Sequence, residues 1–209
     1  GEMLTFRKLL DNAPDQAARK RLLAGKVEDM INTVVRQIAF YDFECRLHAA
    51  RAEGELTPDQ INALWMEIQH ESLGDGFNFM EGYETFWTYI PHFIHSPFYV
   101  YAYAFGDGLV NALYAVYEEG GDDFQEKYFD MLKAGGSKHH KELLEPFGLD
   151  ASDPKFWDKG LSLIASMIDE LEAMEGKRLT NHTPKVGIRI VHGLCTHCVH
   201  QKTSVSRKG

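Results

Sequence analysis

Between Leu22 and Tyr41 the apolar residues Leu22, Leu23, Val27, Met30, Ile31, Val34, Ile38 and Tyr41 return every three or four positions. That spacing puts them on one stripe of an α-helix, and such a stripe has to be buried against other elements. The pattern continues through Phe43 and Leu47 to Ala50, and Asn12-Ala-Pro14 has the form of its start, because proline costs nothing in a first helical turn. Thr57-Pro58 opens another helix, with Thr57 as N-cap and Ile61, Leu64, Trp65 and Ile68 as its apolar face, and Gly74-Asp-Gly76 ends it.

Residues 77–97 are expected to form an irregular aromatic loop with one short turn. A helix over 97–119 is expected next, stopped by Gly120-Gly121. Two shorter helices come after it, over 122–132 and 137–144, divided by Gly135-Gly136, with Ser137 as N-cap of the second. Asp153-Pro154 starts the last helix, in which Phe156, Trp157, Leu161, Ile164, Ile168, Leu171 and Met174 keep helical spacing up to Gly176. No repeat period or low-complexity tract interrupts the series, so the fold class is all-α.

Charge separates this body from the end of the chain. Residues 1–175 hold 15 Lys+Arg against 31 Asp+Glu, whereas 176–209 hold seven basic residues and no acidic one, which together give the net charge of −9. The sequence therefore divides into a helical body, 1–175, and a basic tail, 176–209, expected to lie outside that fold. An acidic body does not suit nucleic acid, since phosphate contacts need clustered Lys and Arg. The longest apolar run, 98–105, is far short of the roughly 20 residues of a bilayer span, so no membrane partner is expected. Cys45, Cys195 and Cys198 make no disulfide framework, and a reducing, cytoplasmic location is the simplest expectation. The first residues, Gly1-Glu-Met-Leu-Thr-Phe-Arg-Lys8, lack the order of a signal peptide and also an initiator Met, as expected of a piece of a longer protein.

Three metal-like patterns are incomplete. His70-Glu71 begins a His-Glu-x-x-His helix, but position 74 is Gly74. Glu67-x-x-His70 is half of a di-iron pair, and the second half is missing. Glu44 and His48 share a helix side at a spacing that suits a solvated or core-satisfied pair better than a ligand set. In the tail, His192, Cys195, His197, Cys198 and His200 are ligand types, but their spacing fits no zinc finger. No metal ligand is assigned in the body.

The segment 89–106 is the densest source of chemistry, with two histidines, two prolines and four tyrosines. Phenol and imidazole groups beside a Pro-flanked turn are hydrogen-bond donors held on a stiff frame. An aromatic core wedge explains the same composition, and Phe93, Phe98, Phe105, Trp65, Trp87 and Trp157 are read as packing residues.

A wider pattern bears on that choice. Phe6-Arg-Lys-Leu-Leu10, Ala39-Phe-Tyr-Asp-Phe-Glu44, Trp87-x-Tyr-Ile-Pro-His-Phe93, Ser96-Pro-Phe-Tyr-Val-Tyr-x-Tyr-Ala-Phe-Gly106 and Phe156-Trp-x-x-Gly-Leu161 together resemble the C-terminal part of oligoendopeptidase F, among the thimet-oligopeptidase-like zinc metallopeptidases. The resemblance spans residues 1–175. It implies the C-terminal helical part of a zincin-type oligopeptidase catalytic domain, acting on short peptide substrates.

It also implies that zinc, the cofactor of the full-length enzyme, is held by a His-Glu-x-x-His helix and a glutamate preceding residue 1. Residues 1–175 alone would then bind none, and the chain alone would be inactive. By the same resemblance His92 and Tyr99 are the catalytic candidates, with Tyr101, Tyr103 and His95 as substrate-binding candidates. Which tyrosine meets the oxyanion stays open, and His95 is either a supporting partner or a surface residue. Donors about 3 Å from the carbonyl oxygen lower the barrier to attack of zinc-bound water by a few kcal/mol. Pro91 and Pro97 would fix the loop and Gly106 would allow close packing. The competing function is a non-catalytic helical binding or oligomerisation module.

Overall fold

The computed structural model describes residues 1–121 and 123–175, and every regular element within them is helical. Helices α1 (Glu2–Asp11), α2 (Gln16–Met30), α3 (Arg36–Glu53), α4 (Pro58–Leu73), α5 (His92–His95), α6 (Tyr101–Glu119), α7 (Phe124–Ala134), α8 (His140–Leu144) and α9 (Pro154–Glu175) succeed one another in chain order. The basic tail and its Cys/His set lie outside the described residues. Among the described residues no helix is long and apolar enough to cross a membrane.

Contacts divide the described residues into two compact units, one of 1–30 with 107–175 and one of 31–106. In the first, α1 buries Met3, Phe6 and Leu10, α2 buries Leu23, Val27 and Met30, and α9 packs on α2 while burying Phe156, Trp157 and Met167. Arg19 bridges to Glu170 at 2.6 Å and Lys20 to Glu175 at 2.7 Å, tying the ends of these two helices together. Gly108 of α6 lies against the Trp157 ring, and Gly160 of α9 lies over the Gly108 carbonyl. Two glycines facing each other allow the backbones of α6 and α9 to approach closely.

The second unit is built on α3 and α4. Thr57 and Gln60 form a reciprocal capping box at the start of α4: the Gln60 N–H donates to Thr57 Oγ1 at 3.3 Å, and the Thr57 N–H donates to Gln60 Oε1 at 2.8 Å. Trp65, fully buried, stacks on Phe40 at 5.5 Å and meets Phe43 edge-on at 5.2 Å. Its indole N–H donates to the Tyr83 carbonyl at 3.0 Å, so the ring also fastens the following segment.

Several expected boundaries move. Asp15, rather than Asn12, caps α2, accepting from the Ala18 N–H at 2.7 Å. The long periodic run is broken by a π-helical turn at Ile31–Val35, which the apolar spacing does not register. The stretch read as a loop is largely ordered turns: a 3-10 helix over Tyr83–Tyr89 and the one-turn α5. The 3-10 helix places Tyr83, Phe86 and Tyr89 in register, their rings 5.2 and 5.7 Å apart. Ser137 is not the cap of α8; the His139 ring nitrogen accepts from the Lys141 N–H at 3.4 Å, and Ser137 donates to Ala134. Gly106 does not serve close packing, since a Cβ there meets nothing within 4 Å, whereas one at Gly108 would lie 2.8 Å from Trp157 Cζ3.

That contrast is testable by urea unfolding. Gly106→Ala gains helix propensity in open space and is expected to stabilise by about 0.5–1 kcal/mol. Gly108→Ala forces the buried Trp157 ring to move and is expected to destabilise by about 1–3 kcal/mol. Equal effects at the two positions would contradict this packing.

Candidate active site

Two aromatic anchors set the course of 89–100. Phe93 inserts its ring among Phe43 at 5.3 Å, Phe40 at 5.9 Å and Trp65 at 6.4 Å. Phe98 lies against Tyr41 at 6.2 Å and the His48 ring at 4.8 Å. Between them, the Tyr99 N–H closes a turn onto the Ser96 carbonyl at 3.1 Å, with Pro97 second and Phe98 third in the turn. Phe98 has φ +60°, the one positive φ outside glycine among the described residues. Proline second and positive φ third is the pattern of a type II turn, whose third position normally belongs to glycine. For a bulky ring the conformation costs of the order of 1–3 kcal/mol, so something nearby has to hold it.

The holding group is Glu44. Its side chain is 1 % exposed, and Oε1 accepts the Phe98 N–H at 2.9 Å. Burial pushes the Glu44 carboxyl above the ordinary carboxylate range, and the Phe98 N–H offsets part of that rise. Glu44 and His48 therefore do not act as a pair: Glu44 is buried and bonds the Phe98 backbone, whereas His48 is exposed and lies against the Phe98 ring. Sequence reasoning left Glu44 without a role; the available signal was an acid set among Phe40, Tyr41 and Phe43.

Beyond the turn the expected site residues separate into two groups. His92 Nε2 and Tyr103 Oη are 3.2 Å apart, their rings edge-on at 5.9 Å. Tyr99 meets Tyr103 edge-on at 5.8 Å. His92, Tyr99 and Tyr103 therefore form one cluster, and it faces solvent, Tyr99 being 53 % and Tyr103 41 % exposed. Tyr101 is turned onto Tyr41, the rings 5.7 Å apart, and is half-buried. His95 is exposed, three residues from His92 on α5, and shares none of the ring contacts of the cluster. The cluster can do neutral hydrogen-bond chemistry: two phenols and an imidazole, each able to donate to a carbonyl oxygen.

The metal-like patterns resolve differently. Arg46 takes up Asp42 at 2.7 Å, Glu71 at 2.6 Å and Glu67 at 3.3 Å, and the hydrogen bond to Glu71 is the largest cause of its raised pKa. His70 instead meets Phe79 edge-on at 4.7 Å. Among the described residues no three His, Cys, Asp or Glu side chains gather as a ligand set. These residues do not fit a zinc ion.

Comparison with known proteins decides the family. Residues 2–163 match the model of peptidase family M3. The chain belongs to that family. This M3 chain is 31 % identical over 174 residues to oligopeptidase PepF of Bacillus subtilis, covering 83 % of the chain and 26 % of that relative. It is 32 % identical over 179 residues to an oligoendopeptidase F homolog of Lactococcus lactis subsp. lactis, covering 84 % of the chain and 29 % of the relative. A crystal structure of a candidate peptidase from Chlamydophila abortus superposes with a TM-score of 0.73 at 29 % identity, covering 83 % of this chain and 29 % of that one. The likeness to oligoendopeptidase F and the all-α peptidase fold both hold, and the chain spans under a third of these relatives' length.

The ionisation of Glu44 gives a stability test. A carboxyl whose pKa is raised on folding contributes stability that is full below the ordinary value of about 4.3 and is lost as pH rises through the folded value. Glu44→Gln removes that loss. Its urea midpoint relative to the wild type is expected to be highest at neutral pH and to fall steadily toward the wild type as pH is lowered to about 4. A difference that is flat or grows in acid would contradict a buried, desolvated carboxyl.

Proposed function

We propose that this chain is the C-terminal portion of a zinc-dependent, cytoplasmic metallo-oligopeptidase that hydrolyses short peptides. Residues 1–175 belong to its catalytic domain and the basic tail stands outside that fold. The observation that carries this is the solvent-facing His92–Tyr103–Tyr99 cluster in a chain of family M3. A core wedge would bury these groups, whereas substrate donors have to be open to a ligand.

Zinc would be held by a His-Glu-x-x-His segment outside the described residues, and would supply Lewis-acid activation of water. The work of this chain is hydrogen bonding. As water adds to a peptide carbonyl, negative charge grows on its oxygen, and an O–H or N–H aimed at that point is worth more there than against the ground state. His92 and Tyr99 take this role. Tyr103 holds the His92 ring by its 3.2 Å bond and is the tyrosine of the cluster placed to bind substrate backbone, whereas Tyr101, turned onto Tyr41, and His95, outside the cluster, are less well placed for it. Which His92 nitrogen carries the proton sets the donor: with the proton on Nδ1, the Tyr103 O–H donates to His92 Nε2 and the His92 Nδ1–H is the group that can donate to the oxyanion.

In the whole peptidase, Tyr99→Phe and His92→Ala are each expected to lower kcat by about tenfold or more while KM moves by less than about threefold. Unchanged kcat in both would remove these residues from the reaction. The 209-residue chain expressed alone is expected to hydrolyse no peptide with Zn²⁺ added; turnover abolished by a chelator would overturn the proposed division of labour.

A further inference from the structure

The turn that delivers Tyr99 stands in a conformation its own sequence does not favour. Type I and type II turns differ by about 150° in ψ at the second residue, which amounts to a flip of the peptide joining the second and third. Here that peptide carries the Phe98 N–H. With negative φ at Phe98 the common type I form is open to Ser96-Pro97-Phe98-Tyr99, and nothing in these four residues selects the other. What selects it is an acceptor 54 positions earlier in the chain: Glu44 Oε1, 2.9 Å from the Phe98 nitrogen. The same peptide orientation seats the Phe98 ring against His48 and Tyr41. Tyr99 comes directly after and meets Tyr103, which in turn meets His92.

We infer that Glu44 is a positioning residue for the active site: by accepting the Phe98 N–H it holds the 96–99 turn in its left-handed form and so sets the place of Tyr99 beside Tyr103. This rests on the proposed role of Tyr99. A buried carboxylate at position 44 is an expensive choice for packing alone, since an apolar residue of equal size fills the space without desolvation. The hydrogen bond to a backbone group of the turn accounts for its presence. Oε2 is buried with no hydrogen-bond partner, so the one contact made by this carboxylate that bears on the site is the one to Phe98. Either a carboxylate or an amide oxygen satisfies it, whereas a thioether of similar volume does not.

The test compares Glu44→Gln, which keeps an acceptor oxygen, with Glu44→Met, which keeps volume and loses it, each alone and combined with Tyr99→Phe in the whole peptidase. Glu44→Met is expected to lower kcat per folded active site by about tenfold with KM within about twofold, and Glu44→Gln to stay within about twofold of the wild type. The Glu44→Met,Tyr99→Phe double variant is expected to match Tyr99→Phe, because a residue acting only through Tyr99 has nothing left to act on. In the 209-residue chain, the nuclear Overhauser contact between the Tyr99 and Tyr103 rings is expected in the wild type and Glu44→Gln and absent in Glu44→Met. If Glu44→Met does not fold, Glu44→Asp, whose carboxylate stops a methylene short of the Phe98 N–H, carries the same comparisons. Equal kcat for the Gln and acceptor-lacking variants, additive losses in the double variant, or a persistent ring contact would each overturn the inference. A normal kcat in Tyr99→Phe alone would overturn instead the role of Tyr99 on which it rests.

Discussion

Burial of the Trp65 indole between α3 and the segment after α4 is the constraint on which the second unit depends. The ring is wholly enclosed, stacks on Phe40, meets Phe43 and Phe93, and spends its one N–H on the Tyr83 carbonyl. Through Phe93 the same cluster fixes α5, and with it the backbone of His92. A large aromatic with its polar handle satisfied is the strongest packing element available to a helical pair of this size. The site residues are then carried on short segments pinned at both ends, by Phe93 in the aromatic core and by Phe98 on α3. Precision at Tyr99 and His92 comes from those two anchors rather than from α5 or α6 themselves.

The chemistry of this face is that of phenol and imidazole hydrogen bonding. Tyr103 touches both His92 and Tyr99, and all three are open to solvent, while Asp42, Glu67 and Glu71 of α3 and α4 converge on Arg46. Phenol and imidazole can each stabilise a developing oxyanion without being charged in the ground state, which favours the transition state over the substrate.

Where structure arises from local chemistry, the sequence was readable. The Thr57-Pro58 start is a capping box because Gln60 stands three residues on, and the centres of the expected apolar stripes are buried, as at Leu23, Val27, Met30, Ile38, Trp65, Ile68, Trp157 and Ile164, while their flanks, such as Ile61, Leu64 and Ile168, are half-buried. Phe93, Phe98, Trp65 and Trp157 pack as their size demands. What escaped was set by distant partners or by equal local alternatives. The π-helical turn at Ile31–Val35 leaves the three-or-four spacing intact to the eye. The start of α6 slipped from Pro97 to Tyr101 because Phe98 adopts positive φ, and the cause lies on α3. Of the five site residues expected, the cluster gathers His92, Tyr99 and Tyr103; Tyr101 is carried to Tyr41 because the helix turns it away two residues before Tyr103. Glu44 was invisible as a site residue, since its significance is a single hydrogen bond to a backbone it does not neighbour.

The most direct measurement is a crystal structure of the whole peptidase with a phosphinic peptide, whose tetrahedral phosphorus and anionic oxygen imitate the adduct of water and a peptide carbonyl. The account predicts that Tyr99 Oη and a ring nitrogen of His92 lie about 3 Å from that oxygen, with the Glu44 to Phe98 bond unchanged. An inhibitor bound in the metal cleft with His92 and Tyr99 both beyond hydrogen-bond reach would contradict it.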